Sequence, residues 1–99
     1  MRITQRQRTA IVDATREIFG DQSSVRLFGS RADDSALGGD IDLHVQIRGT
    51  DAQRQEKSRK LSARICAKLG DVFPIDVVVK DDATADELIH QEGMKGILL

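Results

Sequence analysis

Four residues have types and spacing suited to chemistry. Gly29 and Ser30 end the apolar run Val25-Arg26-Leu27-Phe28, and Asp40 and Asp42 open the next apolar stretch, Asp40-Ile41-Asp42-Leu43. Side chains alternate along a strand, so Asp40 and Asp42 project from one side, roughly 6–7 Å apart. Two carboxylates held that close repel each other. With little water around them, one protonates unless a cation sits between them. A hard divalent metal is the simplest such cation, and Mg²⁺ favours one or two carboxylates plus substrate phosphates. The turn supplies the anion side. Gly29 lets backbone approach a phosphate, and Ser30 adds a hydroxyl donor. Backbone N–H groups at such a turn form an anion-binding concavity. Metal-binding carboxylates beside a phosphate cradle read as nucleotide chemistry.

Alone, each half is weak: Gly-Ser is a common turn, and Asp-x-Asp is a common loop or solvated strand face. Their order is the rarer feature. Asp is disfavoured in strands, yet a third, Asp76, interrupts Pro74-Ile75-Asp76-Val77-Val78-Val79.

These residues need strands to hold them and helices to cover the sheet. Three strands are expected. The first spans 25–28. In the second, Ile41, Leu43, Val45 and Ile47 alternate with polar residues and bury one face. In the third, Ile75, Val77 and Val79 alternate with Asp76 and Val78. Three helices are expected from capping-box patterns at Thr4–Gln7, Thr50–Gln53 and Thr84–Glu87. The first runs to about Phe19, before Gly20. The second carries Leu61, Ile65 and Leu69 and stops at Gly70. The third is short, ending near Gly93. A further helix turn follows Ser30, and residues 33–39 read as a glycine-containing loop. The fold class expected is α+β, a two-layer arrangement. A small mixed β-sheet carries helices on one face and leaves an open active-site face.

Composition narrows the function classes. Ninety-nine residues make a single domain over 1–99, with 39% apolar and 31% charged residues. A net charge of −1 gives no basic footprint for general nucleic-acid binding, and three Phe with no Trp or Tyr disfavour base stacking. The basic run from Arg54 to Lys68 reads as a solvated helix face or an attractor for a nucleotide or an acidic partner. The single cysteine, Cys66, reads as a packing residue in a reducing, cytoplasmic setting. No apolar run suits a membrane span. His44 shares a strand face with Asp40 and Asp42 and is expected at the surface, as is His90 on the last helix. Neither has zinc spacing, and Ser30 has no histidine motif to activate it. Arg31 either contacts a phosphate or pairs with Asp33 or Asp34.

Gly29, Ser30, Asp40 and Asp42, with Asp76 in the place of a third carboxylate, make the chain resemble the DNA polymerase β-like nucleotidyltransferase superfamily. Its small prokaryotic MNT (minimal nucleotidyltransferase) group is the nearer likeness, supported also by the ending Leu88-Ile89-His90-Gln91-Glu92-Gly93. The resemblance implies that Asp40, Asp42 and Asp76 are the catalytic and metal-binding residues, holding Mg²⁺, two ions in the usual arrangement. Gly29 and Ser30, joined by Arg31, would bind the phosphates of ATP. The activity implied is transfer of a nucleoside monophosphate, AMP, to an acceptor hydroxyl. Small MNT proteins resemble one half of a two-gene toxin–antitoxin system whose other half is a helical HEPN protein. A HEPN-type partner, neutralised by adenylylation or by masking, is therefore expected. A small-molecule nucleotidyltransferase is a weaker alternative, since no acceptor-binding lobe is evident.

Overall fold

The computed structural model describes residues 3–31, 40–85 and 87–99, with the Ser30 side chain outside that description. The loop expected over 33–39, and with it the pairing of Arg31 to Asp33 or Asp34, lies outside the described residues.

The element order is α1 (Gln5–Phe19), β1 (Ser24–Phe28), a short 3-10 turn (Gly29–Arg31), β2 (Ile41–Gln46), α2 (Arg54–Leu69), β3 (Ile75–Lys80), α3 (Leu88–Met94) and β4 (Ile97–Leu98). One mixed sheet runs in the order β3-β2-β1-β4. β1 is antiparallel to both β2 and β4, whereas β2 and β3 are parallel. A parallel pair needs a crossover, and α2 supplies it.

α1 starts as its sequence dictates. Thr4 Oγ1 accepts from Gln7 N at 3.0 Å, and Gln7 Oε1 accepts from Thr4 N at 2.8 Å. The other two capping boxes do not form. α2 begins at Arg54, after Asp51 has used its carboxylate on Gln53 N (2.8 Å) and Lys57 Nζ (2.5 Å). α3 begins at Leu88. Thr84 instead donates its hydroxyl to Asp81 (2.7 Å) and accepts from Asp81 N (3.1 Å). At the first place the Asp51 carboxylate took the N–H that the Thr50 cap would have used; at the second the Thr84 hydroxyl is held by Asp81 and Glu87 N donates to Ala85 O instead.

The core lies between the sheet and the pair α1, α2. Leu27, Ile41, Leu43 and Val45 are fully buried there against Ile11, Ala14, Leu61 and Ile65. Each such Leu, Ile or Val contributes about 1.5–3 kcal/mol by leaving water. On the other face α3 packs over His44 and leaves the strand ends that carry the aspartates uncovered. The apolar tail folds back as β4 along β1, Leu99 N donating to Val25 O at 2.9 Å. No helix among the described residues is long and apolar enough to cross a membrane.

Candidate active site

The aspartates are placed by register. Asp42 of β2 stands directly opposite Asp76 of β3 on one side and opposite Phe28 of β1 on the other. Side-by-side strands lie about 4.8 Å apart, so the two carboxylates are immediate neighbours on one face. The same alternation that buries Leu43 and Val45 turns Asp42 outward. Asp42 is half-buried, while Asp40, just before β2, and Asp76 are exposed.

Electrostatics mark Asp42 as the strained member. Burial raises its pKa above the ordinary carboxylate value; the charges of Asp76 and Asp40 and a hydrogen bond to the Asp76 carboxyl add to the effect. A cation placed there would relieve all of these. The donors are all oxygen, as a hard divalent ion requires. Among the described residues no three carboxylate, imidazole or thiol groups already converge as a metal cage. Two adjacent carboxylates with Asp40 nearby fit an ion that takes its remaining ligands from phosphate and water.

Gly29 closes the site from β1. Its φ is +72°, the left-handed region, and a Cβ built on it would run into the Asp42 carboxylate. Only glycine lets the turn pass this close. Ser30 follows in the 3-10 turn, and Arg31 ends it, half-buried. The structure thus brings Gly29, Asp42 and Asp76 together, with Asp40 and the backbone of Ser30 and Arg31 at the margin.

Two residues expected at the surface are not there. His44 is 1% exposed and His90 4%. His44 Nε2 and His90 Nδ1 meet at 3.1 Å, the rings edge to face with centroids 5.3 Å apart. Burial first, then the charges of His90, Lys80 and Arg26, depress the His44 pKa to about 4. A side chain on Gly93 would collide with the His44 ring. The sequence signal was present: His90 and Gly93 are spaced i, i+3, so one polar ring and one gap share a helix face. Asp81 was also missed. It is buried and accepts from Asp51 N, Ala83 N and Thr84 Oγ1, and these hydrogen bonds hold its pKa down at about 2. It ties the end of β3 to the loop before α2.

Residues 9–98 match the family model of the nucleotidyltransferase domain. Comparison with curated proteins yields no match, and comparison with solved structures yields none. The matched span is nearly the whole chain and contains Gly29, Asp40, Asp42 and Asp76, so the chain belongs to the nucleotidyltransferase-domain family. Membership makes nucleotidyl transfer its chemistry and transferase its class.

Proposed function

We propose that this chain transfers AMP from ATP to an acceptor hydroxyl with the help of Mg²⁺, the acceptor oxygen attacking the α-phosphate in line as the bond to the departing pyrophosphate breaks. The observation that carries the reading is the adjacent, like-charged pair Asp42–Asp76 beside a glycine turn that has no room for a side chain. Asp42, Asp76 and Asp40 would hold the metal, which when bound neutralises phosphate charge and lowers the pKa of an acceptor hydroxyl. The Gly29–Ser30 turn would take the triphosphate, its backbone N–H groups donating to phosphate oxygens, with Arg31 beside it. Asp76, exposed on the sheet face that it shares with Asp42, is the carboxylate that would meet an acceptor approaching over that face. The chain's contribution is position and charge rather than a covalent intermediate.

The acceptor, on this proposal, belongs to a helical protein of the HEPN type, with the chain acting as its antitoxin. Leu88 (71% exposed), Leu98 (53%) and Met94 (38%) leave apolar side chains on the surface of α3 and β4, which favours a protein partner. Co-expression with the neighbouring gene product, followed by intact mass measurement, tests this. A complex whose partner carries added AMP is expected. Asp76→Ala should bind Mg²⁺-ATP with little loss yet lower transfer by orders of magnitude. Co-elution with no mass increment, with Mg²⁺-ATP supplied, replaces catalysis with masking. Transfer to a small molecule, with no partner bound, overturns the antitoxin role.

A further inference from the structure

Among the described residues the sheet ends on one side at β3, with no further strand paired to that edge. Ile41 N donates to Pro74 O at 3.1 Å and Ile47 N donates to Lys80 O at 3.0 Å. In a parallel ladder this turns the backbone of residues 74, 76, 78 and 80 toward β2 and that of 75, 77 and 79 outward. Ile75 O accepts from Ser62 Oγ at 3.3 Å. The outward groups of Val77 and Val79 meet no partner among the described residues.

Two further observations concern what pairs there. A shallow, largely apolar groove runs along α2 beside the start of this edge, lined by Ser62, Ala63, Cys66, Ala67, Asp71 and Val72 among others. Its side chains are small, and Val72, at its end, is 89% exposed. The strand itself, Ile75-Asp76-Val77-Val78-Val79-Lys80, also carries opposite charges near its two ends. Run antiparallel against itself about Val78, it sets Asp76 opposite Lys80 and Lys80 opposite Asp76. A slip of two residues one way sets Asp76 against Val78 and Lys80 against Pro74, which loses both ion pairs. A slip the other way sets Asp76 against Asp82. Opposite charges directly across a strand pair stabilise it and like charges destabilise it. Charged edges ordinarily repel foreign strands; here the charges admit one register of one partner.

We propose that two copies of this chain join edge to edge through β3, antiparallel about a two-fold axis at Val78, with Asp76 of each copy facing Lys80 of the other. The two sheets become one continuous sheet. Lys80 and Asp76 lie on the face that carries Asp42, because both stand in register with that face of β2. Lys80 Nζ donates to Thr84 O of its own chain at 3.4 Å, a long bond that leaves its other protons for the opposing carboxylate. Resting on the function proposed above, the second copy thereby delivers a cation to the margin of each nucleotide site.

The test is oligomeric state, which needs no activity. Light scattering coupled to size exclusion should give the mass of two chains. Lys80→Glu and Asp76→Lys should each weaken the dimer on the order of tenfold or more, because two pairs per dimer change from opposite to like charge. The double variant Asp76→Lys/Lys80→Asp should recover it. Val77→Pro removes an outward N–H and no bond to β2, so it should give a folded monomer by circular dichroism. Val78→Cys in a Cys66→Ser background should cross-link under mild oxidation. At a non-hydrogen-bonded antiparallel pair the Cα atoms lie about 4.5 Å apart, within disulfide reach. A wild-type monomer at the highest soluble concentration overturns the proposal, as does an edge occupied only by a different protein. A dimer indifferent to both the charge exchange and Val77→Pro overturns it as well. Dimerisation without nucleotidyl transfer would refute the proposed function alone, and transfer by a monomer would refute this interface alone.

Discussion

Asp42 is where chemistry and stability oppose each other. Its pKa is raised, so the folded state holds the Asp42 proton more tightly than the unfolded chain does. Stability linked to this group is gained as pH falls through the raised pKa, and at neutral pH the ionised carboxylate is a cost to the metal-free protein. Asp42→Asn should therefore raise the melting temperature without metal and abolish any rise that Mg²⁺ gives the wild type. Differential scanning fluorimetry with and without Mg²⁺ measures both. A variant that melts lower, or still responds to Mg²⁺, contradicts the assignment. Gly29→Ala should cost about 1–2 kcal/mol from its positive φ and the displaced carboxylate, read as a shifted urea midpoint, and should weaken ATP binding more than stability. The adjacency of Gly29, Asp42 and Asp76 was legible because a glycine turn and alternating strands each fix a direction. The His44–His90 contact was not, because periodicity places a side chain on a face but does not say what later covers that face.

α3 is an element held by shape more than by propensity. It spans only Leu88–Met94, has no side-chain cap, and meets the sheet with His90 and Gly93 against His44. Gly93→Ala should cost about 1–3 kcal/mol, since the buried ring beneath cannot move aside freely. His44→Ala makes room, so Gly93→Ala should cost much less in that background, which a double-mutant cycle of chemical denaturation would show. Additive costs would mean that the two residues do not touch. At this scale the sequence was read well where one device governed a boundary, as in the Thr4–Gln7 box. It was read wrongly at Thr50, where the Asp51 carboxylate offered Gln53 N a stronger acceptor than the hydroxyl, and at Thr84, whose hydroxyl is itself bound to Asp81. β4 was invisible, being two residues long and defined only by the strand it pairs with.

At the scale of the whole molecule, the buried imidazole sets an acid limit. Between pH 6.5 and about 4 the unfolded His44 takes up a proton that the folded chain refuses, so stability falls as pH falls through that window. The full loss is about 3 kcal/mol, a large share of what a small domain has to spare. Urea titrations at pH 7 and pH 4.5 should differ for the wild type and much less for His44→Leu; equal slopes in both proteins would remove His44 from the account. The burial of the β2 apolar face was legible from alternation alone. The side that α3 takes was not, because no local pattern encodes it.

The parallel register of β2 and β3 has a consequence for how the chain matures. Asp76 can meet Asp42 only if α2 has carried β3 across to the right rung, and a slip of one residue turns every β3 side chain to the other face. Val79 would then lose the core, and Asp76 would be driven into it, uncompensated. A misaligned chain thus fails as a fold at the same moment it fails as a catalyst. Cellular proteases, which act on open chains, would clear such molecules, and those that survive would be enriched for an assembled carboxylate pair.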